Sequence, residues 1–206
     1  MNATGRVFLV DDEPDLRQAL TRLLKAEGLE VEGFGSAPDF LARVTADTTG
    51  CLVLDLSMPG LDGLELQERL AATAAKLGIV FLTGHGDIPT SVRAIKAGAL
   101  DFLTKPVRRD DLLRAVHAAL EHASAERASA AAIADLRNRY EQLTPREREV
   151  FTHVITGRLN KVIAADLGTS EQTIKVHRAR VMEKLAVDTV PELVRAAQQL
   201  AVPPAA

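Results

Sequence analysis

Asp11-Asp12-Glu13, Asp55, Thr83 and Lys105 are the residues of the first half of the chain that carry chemistry when taken together. Each stands at the end of a short apolar run. Val7–Val10 leads into the acidic triplet, Leu52–Leu54 into Asp55, Ile79–Leu82 into Thr83, and Phe102–Leu103 is followed by Lys105-Pro106. Runs of this length read as strands, and ligands of open α/β sheets bind outside the carboxyl ends of the strands. Carboxylates, a hydroxyl and an ammonium are therefore expected on one rim. Singly, each has an ordinary explanation: a strand-end Asp caps a helix, and a lone Lys is a solvated charge. Their conjunction at the ends of four strands calls for a common one.

Phosphoryl transfer to a carboxylate needs this set. A hard divalent cation takes carboxylate, carbonyl and water oxygens, and Asp12 and Asp55 supply two. The cation offsets charge on both the attacking carboxylate and the incoming group. Asp55, on the central strand, is the expected nucleophile. Lys105 binds phosphoryl oxygens and Thr83 hydrogen-bonds to one of them. Positioning and charge stabilisation carry such a reaction. A rival is a phosphatase or dehalogenase with an aspartyl intermediate. Such enzymes usually place a second carboxylate two residues after the nucleophile, where this chain has Ser57.

The elements that must position these residues alternate. Amphipathic stretches with helical spacing lie between the runs, one carrying Leu16, Leu20, Leu23 and Leu24 and another carrying Leu64, Leu66 and Leu70. A further strand is read at Val31–Phe34. Ser36 and Pro38 mark a helix start. Gly28, Gly78 and Gly98 are placed at helix exits, where positive φ favours glycine. Five strands alternating with helices predict a parallel sheet covered on both faces, with right-handed crossovers.

From Arg109 to about Leu143 there is no strand signal, Gly or Pro, and alanine is dense. Ile133, Leu136, Tyr140 and Leu143 recur at helical spacing, which predicts a helical linker. A hinge around Ser124–Ala132 is the alternative. Thr144-Pro145-Arg146-Glu147 reads as a capping box with proline in the first turn. The helix after it should end near Thr156. Asn160 is read as the cap of a short helix through Leu167, and Gly168-Thr169-Ser170 as a tight turn. Longer helices follow at Glu171–Leu185 and about Pro191–Leu200. This is the helix-turn-helix pattern. Its second helix should present N-terminal residues to base edges and its basic residues to phosphates. Lys175 and Val176 are the base-reading candidates, with Thr173 and His177 beside them. Lys161, Thr169, Ser170, Arg178 and Lys184 are phosphate candidates. The boundaries read as 1–122, 123–142 for the linker, and 143–206.

VFLVDDE, LVLDLSMPGLDG, IVFLTGHGD and DFLTKP resemble the signature blocks of response-regulator receiver domains, over residues 5 to about 122. LTPREREV, NKVIAADLGTSEQTIKVHRARVMEKL and PELVRAA resemble the four-helix LuxR-type output domain. Together they are similar to the NarL/FixJ class of two-component regulators, and CLVLD, GHGDIP and KVHRARVM point to its FixJ-like branch. The resemblance implies a flavodoxin-like α/β fold with strand order 2-1-3-4-5, then an all-α domain. It implies Asp55 as phosphoacceptor for a sensor histidine kinase. Mg²⁺ or Mn²⁺ would be held by Asp12, Asp55 and the Ser57 carbonyl, with Asp11 acting through water. Lys105 would pair with the phosphoryl group ahead of a cis peptide, and Thr83 and Phe102 would form the switch pair. Ser57 and His85 would set the lifetime of the aspartyl phosphate. Val92, Lys96 and Asp101 would lie on a homodimer face formed after phosphorylation. Expected partners are double-stranded promoter DNA and, downstream, RNA polymerase. The only enzymatic activity implied is the chain's own phosphoryl transfer and autodephosphorylation. In the family pattern a basic residue often stands where this chain has Ala179. A regulator that binds DNA without phosphorylation is the remaining alternative, opposed by the intact acidic set.

Composition agrees with these readings. Hydrophobic residues make up 47% and charged residues 26% of 206 positions, as in ordinary globular proteins. Trp is absent and Tyr occurs once, so aromatic stacking is not the expected mode of nucleic-acid binding. No apolar run approaches the roughly 20 residues of a membrane span, and no signal peptide is seen, so a cytoplasmic location is expected. Cys51 is the only cysteine and reads as a small buried hydrophobe. Residues 1–107 hold 10 Lys and Arg against 15 Asp and Glu, whereas residues 144–206 hold 9 against 7. That asymmetry permits a nucleic-acid-binding end.

Overall fold

Short apolar runs bounded by polar turns give the first half of the chain its strands, and amphipathic stretches between them give its helices. The computed structural model describes residues 5–84 and 88–205. The chain divides into two compact units, Met1–Ala128 and Ser129–Ala206. The first contains β1 (Arg6–Val10), α1 (Pro14–Ala26), β2 (Glu30–Phe34), α2 (Ala37–Leu41), β3 (Thr49–Asp55), α3 (Gly63–Ala71), β4 (Lys76–Thr83), α4 (Ile88–Lys96) and β5 (Asp101–Thr104). The sheet is parallel with order β2-β1-β3-β4-β5, as expected.

Side chains alternate across the sheet, so β1, β3 and β4 are buried on both faces. Phe8, Val10, Leu52, Leu54 and Phe81 pack with Phe40, Leu66 and Ala94 on one side. Val7, Leu9, Cys51, Val53, Val80 and Leu82 pack with Leu24, Leu112 and Val116 on the other. Cys51 is fully buried, and that burial pushes its thiol pKa up. It behaves as the small hydrophobe read from the sequence.

Helix α5 (Arg109–Glu141) runs unbroken for 33 residues. Its first turns bury Leu112, Ala115, Val116 and Ala119. Residues 124–132 are exposed throughout, so alanine-rich propensity sustains the helix there. The second unit folds α6 (Pro145–Val154), α7 (Asn160–Asp166), α8 (Glu171–Leu185) and α9 (Val190–Gln199) around Val150, Phe151, Ile163, Ile174, Val181 and Leu193. Thr144 makes the expected capping box with Glu147. No described helix is long and apolar enough to cross a membrane.

Two local readings are corrected. Gly28 and Gly98 close helices at φ 82° and 98°, but Gly78 lies inside β4. It is required there by packing: a Cβ on Gly78 would sit 2.4 Å from the Ala119 carbonyl oxygen of α5. Asn160 is not the cap of α7 but its first helical residue, with Leu159 at the cap and no side-chain cap bond.

Gly78→Ala should therefore force α5 away from the sheet. Overpacking of this kind costs about 1–3 kcal/mol. Urea unfolding of the full chain, followed by circular dichroism, should show an earlier first transition. An unchanged transition would contradict the close approach.

Candidate functional site

The ends of β1, β3, β4 and β5 meet at one edge because all four strands run parallel and in register. Asp55 pairs with Leu82, and Thr83 with Thr104. The Lys105 N–H donates to the Thr83 carbonyl at 2.7 Å, fixing the exit of β5 beside that of β4. The peptide from Lys105 to Pro106 is cis.

From this edge the Lys105 ammonium reaches Asp11 Oδ2 at 2.9 Å, Asp55 Oδ2 at 3.1 Å and Glu13 Oε1 at 3.0 Å. Asp11 and Asp55 are buried. Carboxylate oxygens of Asp11, Asp12 and Asp55 all lie within 4.8 Å of one another. Asp11 Oδ1 also accepts the Glu13 N–H at 2.8 Å, and Asp55 Oδ1 accepts the Ser57 N–H at 3.3 Å. The result is a pocket of hard oxygen donors compatible with a divalent cation.

Burial pushes the Asp55 carboxyl above its ordinary range, against the opposing pull of Lys105 and the Ser57 N–H. For Lys105, burial disfavours the charge, but hydrogen bonds to Asp11, Glu13 and Asp55 outweigh it and hold its pKa above the usual lysine value. Lys105 is therefore a permanent cation at the rim.

Thr83 is fully buried at the end of β4. Phe102 is half-buried on β5, its ring 6.1 Å from that of Phe81. His85 lies outside the described residues. Val92 and Lys96 are exposed on α4, and Asp101 is half-buried at the start of β5, accepting the Phe102 N–H at 2.8 Å. Ile88, Ile95 and Leu100, exposed beside Val92, were not singled out from the sequence. Ile88 and Ile95 are isolated apolar residues in the sequence, and only the folded helix groups them with Val92. Glu13 was read as part of the acidic run, with no hint that it would bond Lys105.

In the second unit, α8 packs through Ile174, Val181 and Leu185, while Lys175 and Val176 face outward at its start. Lys175 lies 3.6 Å from Glu171 one turn earlier. Ser170 caps the helix by accepting the Thr173 N–H at 3.1 Å. Lys161 is exposed on α7, and Thr169 is half-buried in the turn. Nδ1 of His177 is buried without a hydrogen-bond partner among the described residues. Arg178 Nη1 donates to Asn160 Oδ1 at 3.2 Å, tying α8 to α7.

The expectation that Lys184 faces outward is corrected. Its ammonium donates to Glu147 Oε2 at 2.7 Å and to the Gln142 carbonyl at 3.2 Å. A buried carboxylate requires a partner, and Lys184 supplies it.

Comparison with known proteins places both units. The description "Response regulator receiver domain" matches residues 7–117, and "Bacterial regulatory proteins, luxR family" matches residues 141–197. The chain is 45% identical to Nodulation protein W of Bradyrhizobium diazoefficiens, over 95% of this chain and 86% of that one. It is 40% identical to Transcriptional regulatory protein FixJ of the same organism, over 97% of each. Among solved structures it is similar to the response regulator StyR, with a TM-score of 0.82 and 43% identity over 96% of this chain and 100% of that one.

The Glu147–Lys184 tie has a pH signature. Burial opposes the Glu147 charge, but Lys184 and the Thr144 amide and hydroxyl outweigh it, holding the carboxyl below its ordinary 4.5. A depressed carboxylate contributes its full stability above the unfolded value and loses it as pH falls through the folded one. Lys184→Met should destabilise the second unit by about 3 kcal/mol, because it leaves a buried carboxylate unpaired. The deficit should shrink as pH falls below 4.5. Thermal unfolding at pH 7 and pH 4 measures both, and a deficit independent of pH would contradict the pairing.

Proposed function

Because the chain belongs to the response regulators that join a receiver domain to a LuxR-type regulatory domain, we propose that Asp55 is its phosphoacceptor and that phosphorylation drives dimerisation and promoter binding. The chain is a transcriptional response regulator, and its two domains imply a phosphodonor kinase and DNA as partners. The observation that carries the proposal is the Lys105 ammonium held between Asp11 and Asp55, with Asp12 in the same cluster.

In the transfer, an Asp55 carboxylate oxygen bonds to phosphorus as the phosphorus–nitrogen bond of a phosphohistidine donor breaks. The leaving imidazole keeps the electron pair. Lys105 offsets charge on the transferred oxygens, and the Thr83 hydroxyl turns toward one of them. Asp12, Asp55 and the Ser57 carbonyl would hold Mg²⁺ or Mn²⁺, with Asp11 acting through water. The bound ion would neutralise charge on the phosphoryl group. Ser57 and His85 would set how fast water reaches the aspartyl phosphate. Beyond its own phosphorylation and dephosphorylation the chain catalyses nothing.

The phosphoryl group adds about −1.5 to −2 charge at the rim. That charge shifts an equilibrium only where the two states bind it differently. Thr83 and Phe102 supply the difference, since they stand beside α4 and β5. Val92, Lys96 and Asp101, with the exposed Ile88, Ile95 and Leu100, form an α4–β5 face on which two chains pair. Pairing brings two recognition helices to two half-sites. Lys175 and Val176 read bases. Lys161, Thr169, Ser170, Thr173, His177 and Arg178 complete the contact surface. RNA polymerase is the partner such promoter binding serves, in the cytoplasm.

The test compares the wild type with Asp55→Asn. A small-molecule phosphodonor should tighten wild-type DNA binding roughly 5- to 150-fold, the usual span of coupling between sites, and should leave Asp55→Asn unchanged. Equal responses would overturn the assignment. Sedimentation with beryllofluoride should convert wild-type monomer to dimer; monomer in both states would remove dimerisation from the scheme.

A further inference from the structure

Asp12 is half-buried and makes no hydrogen bond among the described residues, although it belongs to the cluster of candidate cation ligands. The backbone that carries it is held on both sides of the preceding peptide. The peptide before it is clamped at Asp11. The Asp11 N–H donates to the Phe34 carbonyl at the end of β2, at 3.2 Å. The Asp11 carbonyl accepts from Nη1 of Arg17. That carbonyl, the Asp12 N–H and the Asp12 Cα belong to one rigid plane, so the bond from Arg17 holds the atom from which the Asp12 side chain leaves.

Arg17 reaches the carbonyl by a route built for it. It stands in the first turn of α1, its own N–H bonded to the Glu13 carbonyl at 3.0 Å. Its stem lies across β2 where the chain has glycine. A Cβ on Gly33 would lie 3.4 Å from Arg17 Cγ, and one on Gly35 would lie 3.8 Å from both Nη atoms. The side chain thus passes close to both glycines and ends at the Asp11 carbonyl of the acidic loop.

We propose that Arg17 is a positioning residue: through the Asp11 carbonyl it orients the Asp12 carboxylate for divalent-cation binding. The inference rests on the reading of Asp12 and Asp55 as cation ligands. Groups that orient metal ligands typically contribute 10- to 100-fold in metal affinity. Arg17→Ala removes the clamp. Arg17→Lys keeps a cation and a donor that can approach the same carbonyl.

Calorimetric titration of the full-length chain with Mg²⁺, without any phosphodonor, measures the effect directly, alongside the unfolding midpoint of each variant. Arg17→Ala should weaken Mg²⁺ binding at least tenfold, and Arg17→Lys should recover part of the loss at a similar midpoint. Wild-type affinity in Arg17→Ala would overturn the proposal and leave the ligand assignment standing. A loss that follows the fall in midpoint, and that Arg17→Lys does not relieve, would reduce Arg17 to a structural role and also overturn it. A wild-type chain that binds no Mg²⁺ would overturn both this inference and the ligand reading beneath it.

Discussion

One cation held among carboxylates organises the first unit. Lys105 binds Asp11, Glu13 and Asp55 within 3.1 Å, and Asp11 and Asp55 are buried. At about 3 Å and an effective dielectric near 20, the pairs to the buried Asp11 and Asp55 are worth roughly 5 kcal/mol each, and the exposed Glu13 adds little. Removing the ions from water costs several kcal/mol apiece. The cluster is therefore close to balance rather than a strong staple. An oxygen site near balance can exchange partners, and that is what a phosphoacceptor requires: the ammonium must be free to move from the carboxylates to an incoming phosphoryl group.

The sheet imposes this arrangement. With order β2-β1-β3-β4-β5, the acidic loop, Asp55 and Lys105 follow or end β1, β3 and β5, with Asp11 and Asp55 94 and 50 residues before Lys105. Parallel register puts their ends on one edge. The two cores that sandwich the sheet make the edge rigid. Thr83 and Phe102 lie on β4 and β5, the next two strands along the sheet from Asp55, so in the proposed scheme a change of charge at Asp55 would be read by α4, which carries the exposed Ile88, Val92 and Ile95. In the second unit the corresponding rigid feature is the Glu147–Lys184 tie, which holds the C-terminal end of α8 and leaves its N-terminal end outward.

Much of this was legible in the residues. The strand runs, the acidic set and the span of α8 follow from periodicity and from residue types that make sense only together. Strand ends were harder. Arg6, Glu30, Thr49 and Lys76 extend strands beyond their apolar runs, because ladder hydrogen bonds do not depend on side-chain polarity. Gly78 was read as a helix exit because glycine serves either positive φ or close packing, and only the fold tells which. Ala186 ends α8 at φ 52°, a conformation alanine rarely adopts and no residue type announces. Lys184 shows the limit for charges: outward placement is the default for lysine, and the carboxylate that captures it lies 37 residues away. The Arg17 bond is invisible for a different reason: its acceptor is a backbone carbonyl, which no residue type announces.

The central claim is that Asp55 alone among the clustered carboxylates receives the phosphoryl group. Reductive trapping tests it most directly: the chain is phosphorylated with a small-molecule donor and Mg²⁺, then treated with borohydride, which reduces an acyl phosphate to an alcohol. Peptide mass spectrometry should find homoserine at position 55 and unmodified aspartate at 11 and 12. Homoserine at either of those positions, or at none, would contradict the account.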